Sequence, residues 1–578
     1  MIESPADFRG VFRTDLLARA MYAEGAGIAR CVPSGVAVPA DADDVPTLMR
    51  WGKREGVALI PRGSGSGMAA GAVGPGVIVD LSRLRHVGPV DVDGRCIRVG
   101  SGVTRGEVDE VARRNGLRFP VDPSSGAFCT MGGMVGANAA GPRSLKFGAM
   151  RPWVRGVRCV FDDGTDVWVR RDATWPIGVP AVRRLADALS QIGAKLGSDI
   201  PPDALSHVGV RKESSGYAIA DALRADGHLV DLLVGSEGTL AIFTEVELSL
   251  IPVAGATATI LAVFGTLEAA TACAVEARMD GAAACELLDR TFLDVAGSDG
   301  PTGIPAHAEA VLLMEVEGDS LAEAQHAMTQ LSAHATRQGA SEVHTAFDVE
   351  NAHRLWALRH AASPILSRLA PGLRSMQFIE DGCVPPDRFP DYVRGVRRAL
   401  DHFDMPGVIF GHAGDAHAHV NPLVDVTRSG WRDRVHGILD RVCELTAVLG
   451  GTLAGEHGDG RLRAPLLDRV WALEARAAFA HIKDAADPSG VLNPGCKIAR
   501  DGDRAITELR HDPDAVPLPT AARAALDDIE RTRSWNRFRL DAIEGELGRH
   551  EDGLLMRAAF QIRDCDRYSA PAERGDGA

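Results

Sequence analysis

The sequence predicts an α+β protein of more than one domain. Three observations lead there. At 578 residues the chain exceeds what one hydrophobic core usually serves. Up to Pro252, short apolar segments alternate with glycine-rich turns. Beyond Pro252 the composition shifts: residues 255–400 are alanine-rich, with helix patterns near 267–279, 320–338 and 352–369 and strands such as Ala310 to Val316 between them. That order predicts a sheet with helices on one face, and Pro252 as a domain boundary.

Each element has a local signature. Asp43-Asp44-Val45 opens a short amphipathic helix through Trp51 and Lys53. The strand Val57 to Ile60 runs straight into Pro61-Arg62-Gly63-Ser64-Gly65-Ser66-Gly67-Met68-Ala69-Ala70-Gly71. Consecutive backbone N–H groups of such a loop can face an anion such as pyrophosphate; the plainer reading is a flexible surface turn. The loop is not Walker A, because no Gly-Lys-Ser/Thr follows. A dinucleotide fingerprint fails too, since Pro75-Gly76 breaks any helix before the strand Val77 to Asp80. Ile97 to Val99 reads as a strand, and Thr104 begins a helix through Arg114 that Gly116 stops. Almost every residue from Asp122 to Gly141 is small, which suits close packing against a flat ligand or against itself. Cys129 within it reads as a small buried residue.

Val157 to Phe161 and Val167 to Val169 form a hairpin on Asp163-Gly164. Residues 171–230 mix short helices and loops. Leu232 to Phe243 reads as strand, glycine turn and strand, and Glu245 to Pro252 continues as an alternating strand. Arg359 lies on a helix among Trp356, Leu355 and Ala357; it is either solvated or paired with a buried carboxylate. Residues 432–449 form another helix, and Asp487 to Gly495 is a turn-rich return segment. The tail carries helix patterns at 519–532 and 536–549, and its last residues read as disordered.

Composition removes several function classes. The net charge of −15, without a long basic run, argues against nucleic acid or anionic membrane as a partner. Ten scattered cysteines without a C-x-x-C pair argue against a disulfide framework, a zinc ribbon or an iron–sulfur cluster held by this chain. No apolar run reaches the ~18 residues of a membrane span. Met1 to Gly10 lacks a signal pattern, so a cytoplasmic protein is expected, whether free or peripheral at the inner membrane face.

The densest chemistry lies in Gly411-His412-Ala413-Gly414-Asp415-Ala416-His417-Ala418-His419-Val420-Asn421. If 417–421 is extended, His417, His419 and Asn421 share one face, and His412 reaches it from the turn. Neutral imidazoles suit Zn²⁺ and similar ions, and a catalytic site needs three protein ligands plus an open position. A second stretch, Gly450 to Gly460, could offer the third ligand. The plainer reading of either stretch is a glycine loop with solvated polar residues.

Six of these motifs in order resemble the FAD-linked oxidase family that includes D-lactate, glycolate and D-2-hydroxyglutarate dehydrogenases. They are Pro61 to Gly71, Asp122 to Gly141, Val234 to Phe243, Gly411 to Asn421, Gly450 to Gly460 and Asp487 to Gly495, within residues 30–500. The resemblance implies a two-subdomain FAD-binding domain of the vanillyl-alcohol oxidase type over 1–252 and an α+β ferredoxin-like substrate domain over 253–480. A return segment at 481–500 and a helical tail at 501–578 complete the expected organisation. FAD contacts are implied at Pro61, Arg62, Gly63, Ser64, Gly65, Ser66, Gly67 and Met68; at Asp122, Pro123, Ser124, Thr130, Gly132, Gly133, Asn138 and Gly141; and at Gly235, Glu237, Gly238, Leu240, Ile242 and Asn493. His412, His419 and Glu456 are implied as ligands of a divalent metal, zinc before manganese or iron(II). His457, Arg359 and Asn421 are implied as the substrate-contacting catalytic residues.

Ile379 to Pro386 is similar to the branch often fused to an iron–sulfur domain, but no cluster cysteines follow here. Two features depart from the family: Asp415-Ala416-His417 stands where Asp-Gly-Asn is usual, and Ile379 where some relatives place a basic residue. The expected activity is metal-assisted oxidation of a D-2-hydroxy acid, with electrons passing to a quinone, a carrier protein or a separate iron–sulfur subunit rather than NAD⁺. A homodimer is compatible with this reading. The rival readings are a zinc hydrolase and a flavin-binding subunit without turnover of its own.

Overall fold

The computed structural model describes residues 2–296, 304–366 and 372–543. A four-stranded sheet has the order Val11–Arg13, Gly35–Val38, Val77–Asp80, Leu59–Arg62. Its last three strands are parallel, linked through the helix Asp44–Glu55. That helix buries Val45, Leu48 and Met49 against Leu59, Val77 and Val79. The first glycine loop leaves the C-terminal end of Leu59–Arg62, the end where parallel sheets present ligand sites.

A five-stranded antiparallel sheet follows, in the order Val87–Asp91, Cys96–Gly100, Ile242–Ser249, Val154–Val160, Asp166–Arg170. The hairpin at Asp163-Gly164 forms, with Gly164 left-handed at φ 79°. Two helices, Pro180–Lys195 and Leu473–Ala486, share this sheet's core through Leu185, Leu189, Phe479 and Ile482.

The largest sheet has the order Ala340–Ala346, Ala256–Phe264, Ala310–Gly318, Ala284–Asp289, Gly407–Gly411, His417–Asp425, Leu373–Ser375, with Gly382–Cys383 also paired to His417–Asp425. Helices Leu267–Glu276, Leu321–Arg337, Phe389–His402 and Trp431–Val448 cover one face. The other face, with Leu261, Val263 and Leu313, packs on Phe292, Leu293 and Leu358 from two further helices, Arg290–Ala296 and Val349–Leu366. The one-sided layer expected from sequence is therefore two-sided. Ala256–Phe264 and Ala310–Gly318 are near-continuous apolar runs, which bury both faces of a strand.

Three local expectations also change. Leu229–Leu233 is a short helix where a strand was expected, because a brief apolar run fits either form and Asp231 caps the helix by accepting the His228 N–H at 3.0 Å. The small-residue stretch contains a helix, Met131–Ala137, capped by Thr130, whose glycines hide the pattern. Pro180–Lys195 is a full 16-residue helix inside a region read as short pieces. The tail helix Thr520–Thr532 forms as expected, whereas the second tail helix and the disordered end fall largely outside the described residues. Among the described residues no helix is long and apolar enough to cross a membrane.

The return of Leu473–Ala486 to the five-stranded sheet depends on Phe479, fully buried and edge-on to Trp471 and Tyr217. Phe479→Ala should lower the unfolding free energy by about 3–5 kcal/mol, read from urea denaturation.

Candidate active site

The hairpin of Gly407–Gly411 and His417–Asp425 sets His419 opposite Phe410 and Asn421 opposite Val408. Alternation along the second strand places His417, His419 and Asn421 on one side. The turn between the strands forces Ala416 into the left-handed region at φ 56°, a conformation glycine adopts with less strain. Gly455 passes so close that a Cβ there would lie 2.8 Å from His417 Nε2.

Three donor atoms converge. His412 Nε2 is 3.1 Å from Glu456 Oε1, and His419 Nε2 is 3.4 Å from both. Ligands bound tetrahedrally at ~2.0–2.2 Å stand about 3.3–3.6 Å apart, so the set is the size a metal ion requires. The other ring nitrogens fix the tautomers. His412 Nδ1 bonds to the Glu286 carboxylate, and His419 Nδ1 bonds to the Glu380 carbonyl at 2.9 Å. With both Nδ1 atoms donating, two Nε2 lone pairs face one another and Glu456, an arrangement a shared cation relieves. His417 belongs to the same group, whose donor atoms all lie within 4.8 Å of one another. Its Nε2, however, bonds to Asp381 at 2.9 Å, and burial, with Lys212 nearby, pushes it down to about 3.

The surrounding charges were not legible as a set. Lys212 Nζ holds Glu456 Oε2 at 2.5 Å. Arg359 Nε donates to Glu286 at 2.8 Å, the buried carboxylate partner considered for it. Arg463 pairs with Glu380, and Asp381 accepts the His457 backbone N–H at 2.9 Å. Burial disfavours ionisation of Glu456, yet Lys212 and His412 hold it well below the usual carboxylate range. Burial likewise opposes a charge on His457, but Glu380, 2.6 Å from its Nδ1, and Asp381 raise it to about 9. Four buried carboxylates (Glu286, Glu380, Asp381, Glu456) face three permanent cations (Lys212, Arg359, Arg463), and a protonated His457 balances the fourth. A cation bound beside Glu456 competes with that proton.

The site opens into a cavity of 1060 Å³. Arg359, His419, Asn421, Glu456 and His457 line one end. The wall continues over Gly132, Gly133, Glu237 and Gly238 to Gly63, Ser64, Gly65, Ser66, Gly67 and Met68. The volume is at the upper end of small-molecule sites and suits an extended dinucleotide. Side chains are excluded where backbone must approach: a Cβ at Gly63 would lie 2.0 Å from Thr130 Oγ1, and one at Gly238 would lie 2.2 Å from Pro61 Cγ.

Comparison with known proteins identifies the family. Residues 33–170 match the family described as FAD binding domain, and residues 254–496 match FAD linked oxidases, C-terminal domain. The chain is 30% identical over 471 residues to a D-lactate dehydrogenase of Archaeoglobus fulgidus, covering 80% of this chain and 91% of that protein. It belongs to the FAD-linked oxidase family. It is also 28% identical over 483 residues to glycolate oxidase subunit GlcD of Bacillus subtilis, covering 83% of this chain and 92% of the relative. A D-2-hydroxyglutarate dehydrogenase of Pseudomonas putida is 28% identical, but the match covers 84% of this chain and only 50% of that protein. An alkyldihydroxyacetonephosphate synthase shares the fold, with a TM-score of 0.56 at 14% identity over 84% of this chain and 82% of its own.

Within this FAD-linked oxidase the implied cofactor residues divide into two groups. Pro61 to Met68, Pro123, Ser124, Thr130, Gly132, Gly133, Glu237 and Gly238 line the cavity. Asp122, Asn138, Gly141, Gly235, Leu240, Ile242 and Asn493 stand behind it. Asp122 pairs with Arg143, Asn138 accepts the Arg151 N–H at 2.9 Å, and Leu240 and Ile242 are core residues. Gly141 passes close to the Asp122 carbonyl, and Gly235 turns at φ 88°. Asn493 bridges the Gly71 and Glu237 carbonyls at 2.9 and 2.7 Å. Two side chains of the lining also carry hydrogen bonds between loops. The Arg62 guanidinium donates to the carbonyls of Tyr22, Glu24 and Ala72, and Glu237 accepts the N–H groups of Asp459 and Gly460. Both act as struts that tie the loops together.

Gly65 has φ 76°, and a Cβ there would lie 2.3 Å from Arg62 Nη2. Gly65→Val should therefore displace the loop from Arg62 and yield protein with little bound FAD, measured as visible flavin absorbance per chain.

Proposed function

We propose that this chain oxidises a D-2-hydroxy acid to the 2-oxo acid. FAD and a divalent cation at His412, His419 and Glu456 assist, and the electron acceptor is not NAD⁺. The observation that carries the reading is the convergence of those three donor atoms, 3.1–3.4 Å apart, at one end of a cavity whose walls reach the first glycine loop. The names of the relatives support a hydroxy acid, whether of D-lactate, glycolate or D-2-hydroxyglutarate type. Zinc fits two imidazoles and one carboxylate best, ahead of manganese or iron(II).

When bound, FAD supplies the hydride acceptor, and the cation supplies Lewis-acid polarisation of the substrate hydroxyl. The chain's own residues do the rest. Arg359 lines the cavity while Glu286 holds its Nε, so its remaining N–H groups can pair with the substrate carboxylate. Asn421, on the same strand as His419, offers a hydrogen bond to a substrate oxygen. Glu380 fixes His457 Nδ1, and Nε2 lies 3.6 Å from Glu456 Oε1, beside the metal-ligand cluster. His457 Nε2 is thus placed to take the hydroxyl proton, a contribution typically worth ~10²–10⁴ in rate. A cation beside it favours the neutral imidazole this role needs. Electrons then leave to a quinone, a carrier protein or a separate iron–sulfur subunit.

The first experiment is the absorbance of the purified chain under anaerobic conditions, before and after a panel of D-2-hydroxy acids. Bleaching of the flavin bands by one of them is expected, and failure of the whole panel would overturn the substrate class. His419→Ala should stay yellow and folded but lose both metal and turnover. His457→Ala should keep the metal and lose ~10²-fold or more in kcat. Elemental analysis beside activity measurements decides between ligand and proton-transfer roles.

A further inference from the structure

The matched oxidase domain ends at residue 496, yet the chain beyond it folds back against the FAD cavity. Leu509 bridges to Ala29, and the helix Thr520–Thr532 packs Ala525, Leu526 and Ile529 on Ala18, Ala20 and Met21. Arg523 pairs with Glu24 at 2.9 Å. Trp535, nearly buried, lines the cavity itself.

Next to Trp535 stands Arg539, only 3% exposed, its Cζ 5.0 Å from the Trp535 ring centroid. Arg539 Nη2 lies 3.5 Å from the Ser64 carbonyl oxygen of the first glycine loop, and among the described residues its Nε and Nη1 have no hydrogen-bond partner. A buried guanidinium with unsatisfied donors is costly unless an anion completes it. The nearby charges do not balance either. Arg62 spends its donors on carbonyl oxygens, and Asp80, the buried carboxylate near both arginines, is already engaged by the Tyr22 hydroxyl at 2.6 Å. Arg510, the other cation near Arg539, is paired with Glu24 and Glu530, so Arg62 and Arg539 share the single carboxylate of Asp80 and leave a positive charge behind the loop. Burial, with Arg62 close by, pushes Arg539 down to about 9, so it remains charged at neutral pH in an unfavourable place. Arg539 stands behind the cavity wall at Ser64, and a pyrophosphate held by the loop is an anion that offsets this charge.

We propose that Arg539 is part of the anion site for the FAD pyrophosphate, so that a segment beyond the oxidase domains helps hold the cofactor. The proposal rests on the reading of Pro61 to Gly71 as the pyrophosphate loop, and Gly65→Val tests that reading separately. Arg539 is tested by titrating flavin-stripped protein with FAD and following flavin fluorescence, for the parent chain, Arg539→Lys and Arg539→Gln. Circular dichroism of each stripped form checks the fold. The expected result is FAD binding at least tenfold weaker in Arg539→Gln, largely restored in Arg539→Lys, with all three chains folded. Binding by Arg539→Gln within twofold of the parent overturns the proposal. So does equal weakening in Arg539→Lys and Arg539→Gln, which marks a packing role. If Arg539→Gln does not fold, Arg539→Met replaces it under the same criteria.

Discussion

Two adjacent carboxylates, Glu380 and Asp381, hold the centre of this molecule together. Asp381 accepts N–H groups from the backbone of Glu456 and His457 and bonds to His417 Nε2. Glu380 bonds to His457 Nδ1 with its carboxylate and to His419 Nδ1 with its carbonyl, and pairs with Arg463. One short segment thereby orients three histidines from two separate stretches. Buried charges of this kind add little net stability when paired, but losing one partner strands the others at about 3–5 kcal/mol. The pair therefore acts as a specificity device: it allows one arrangement of the site and penalises the rest.

The same economy governs the flavin side. Glycine lets the backbone approach the cavity, and charged side chains behind it hold the loops in place. Glu237 ties its own turn to Asp459 and Gly460, and Lys497 neutralises it at 3.0 Å. Arg461 spans from Asn493 to the carbonyls of Ala70, Gly71 and Val73. Loops from four distant parts of the chain thus become one rigid wall.

The match to the oxidase family ends at residue 496, and the chain continues beyond it. A helical tail that buries Leu526 and Ile529 against the N-terminal helix cannot be a loose extension. Asp527, Glu530 and Trp535 of this segment line one side of the cavity.

Much was legible without coordinates. Glycine clusters mark places where backbone must come close, and period-2 spacing put His417, His419 and Asn421 on one side of a strand. Those are local rules, so the sequence states them directly. Alternation and capping likewise placed Arg105–Arg113, Leu321–Arg337 and the Asp163-Gly164 hairpin. Other features belong to tertiary structure alone. Lys212 reaches Glu456 across 244 positions, and Glu286 reaches His412 across 126. No spacing rule links such residues, because a buried charge selects its partner by proximity after folding. For the same reason the ties that Arg62 and Glu237 make between loops, and the approach of Arg539, in a segment that read only as a tail, to the Ser64 carbonyl, appear only in the folded chain. The sequence determined which residue types could do this chemistry; the packing of distant segments decided which of them face the ligand and which hold the others in place.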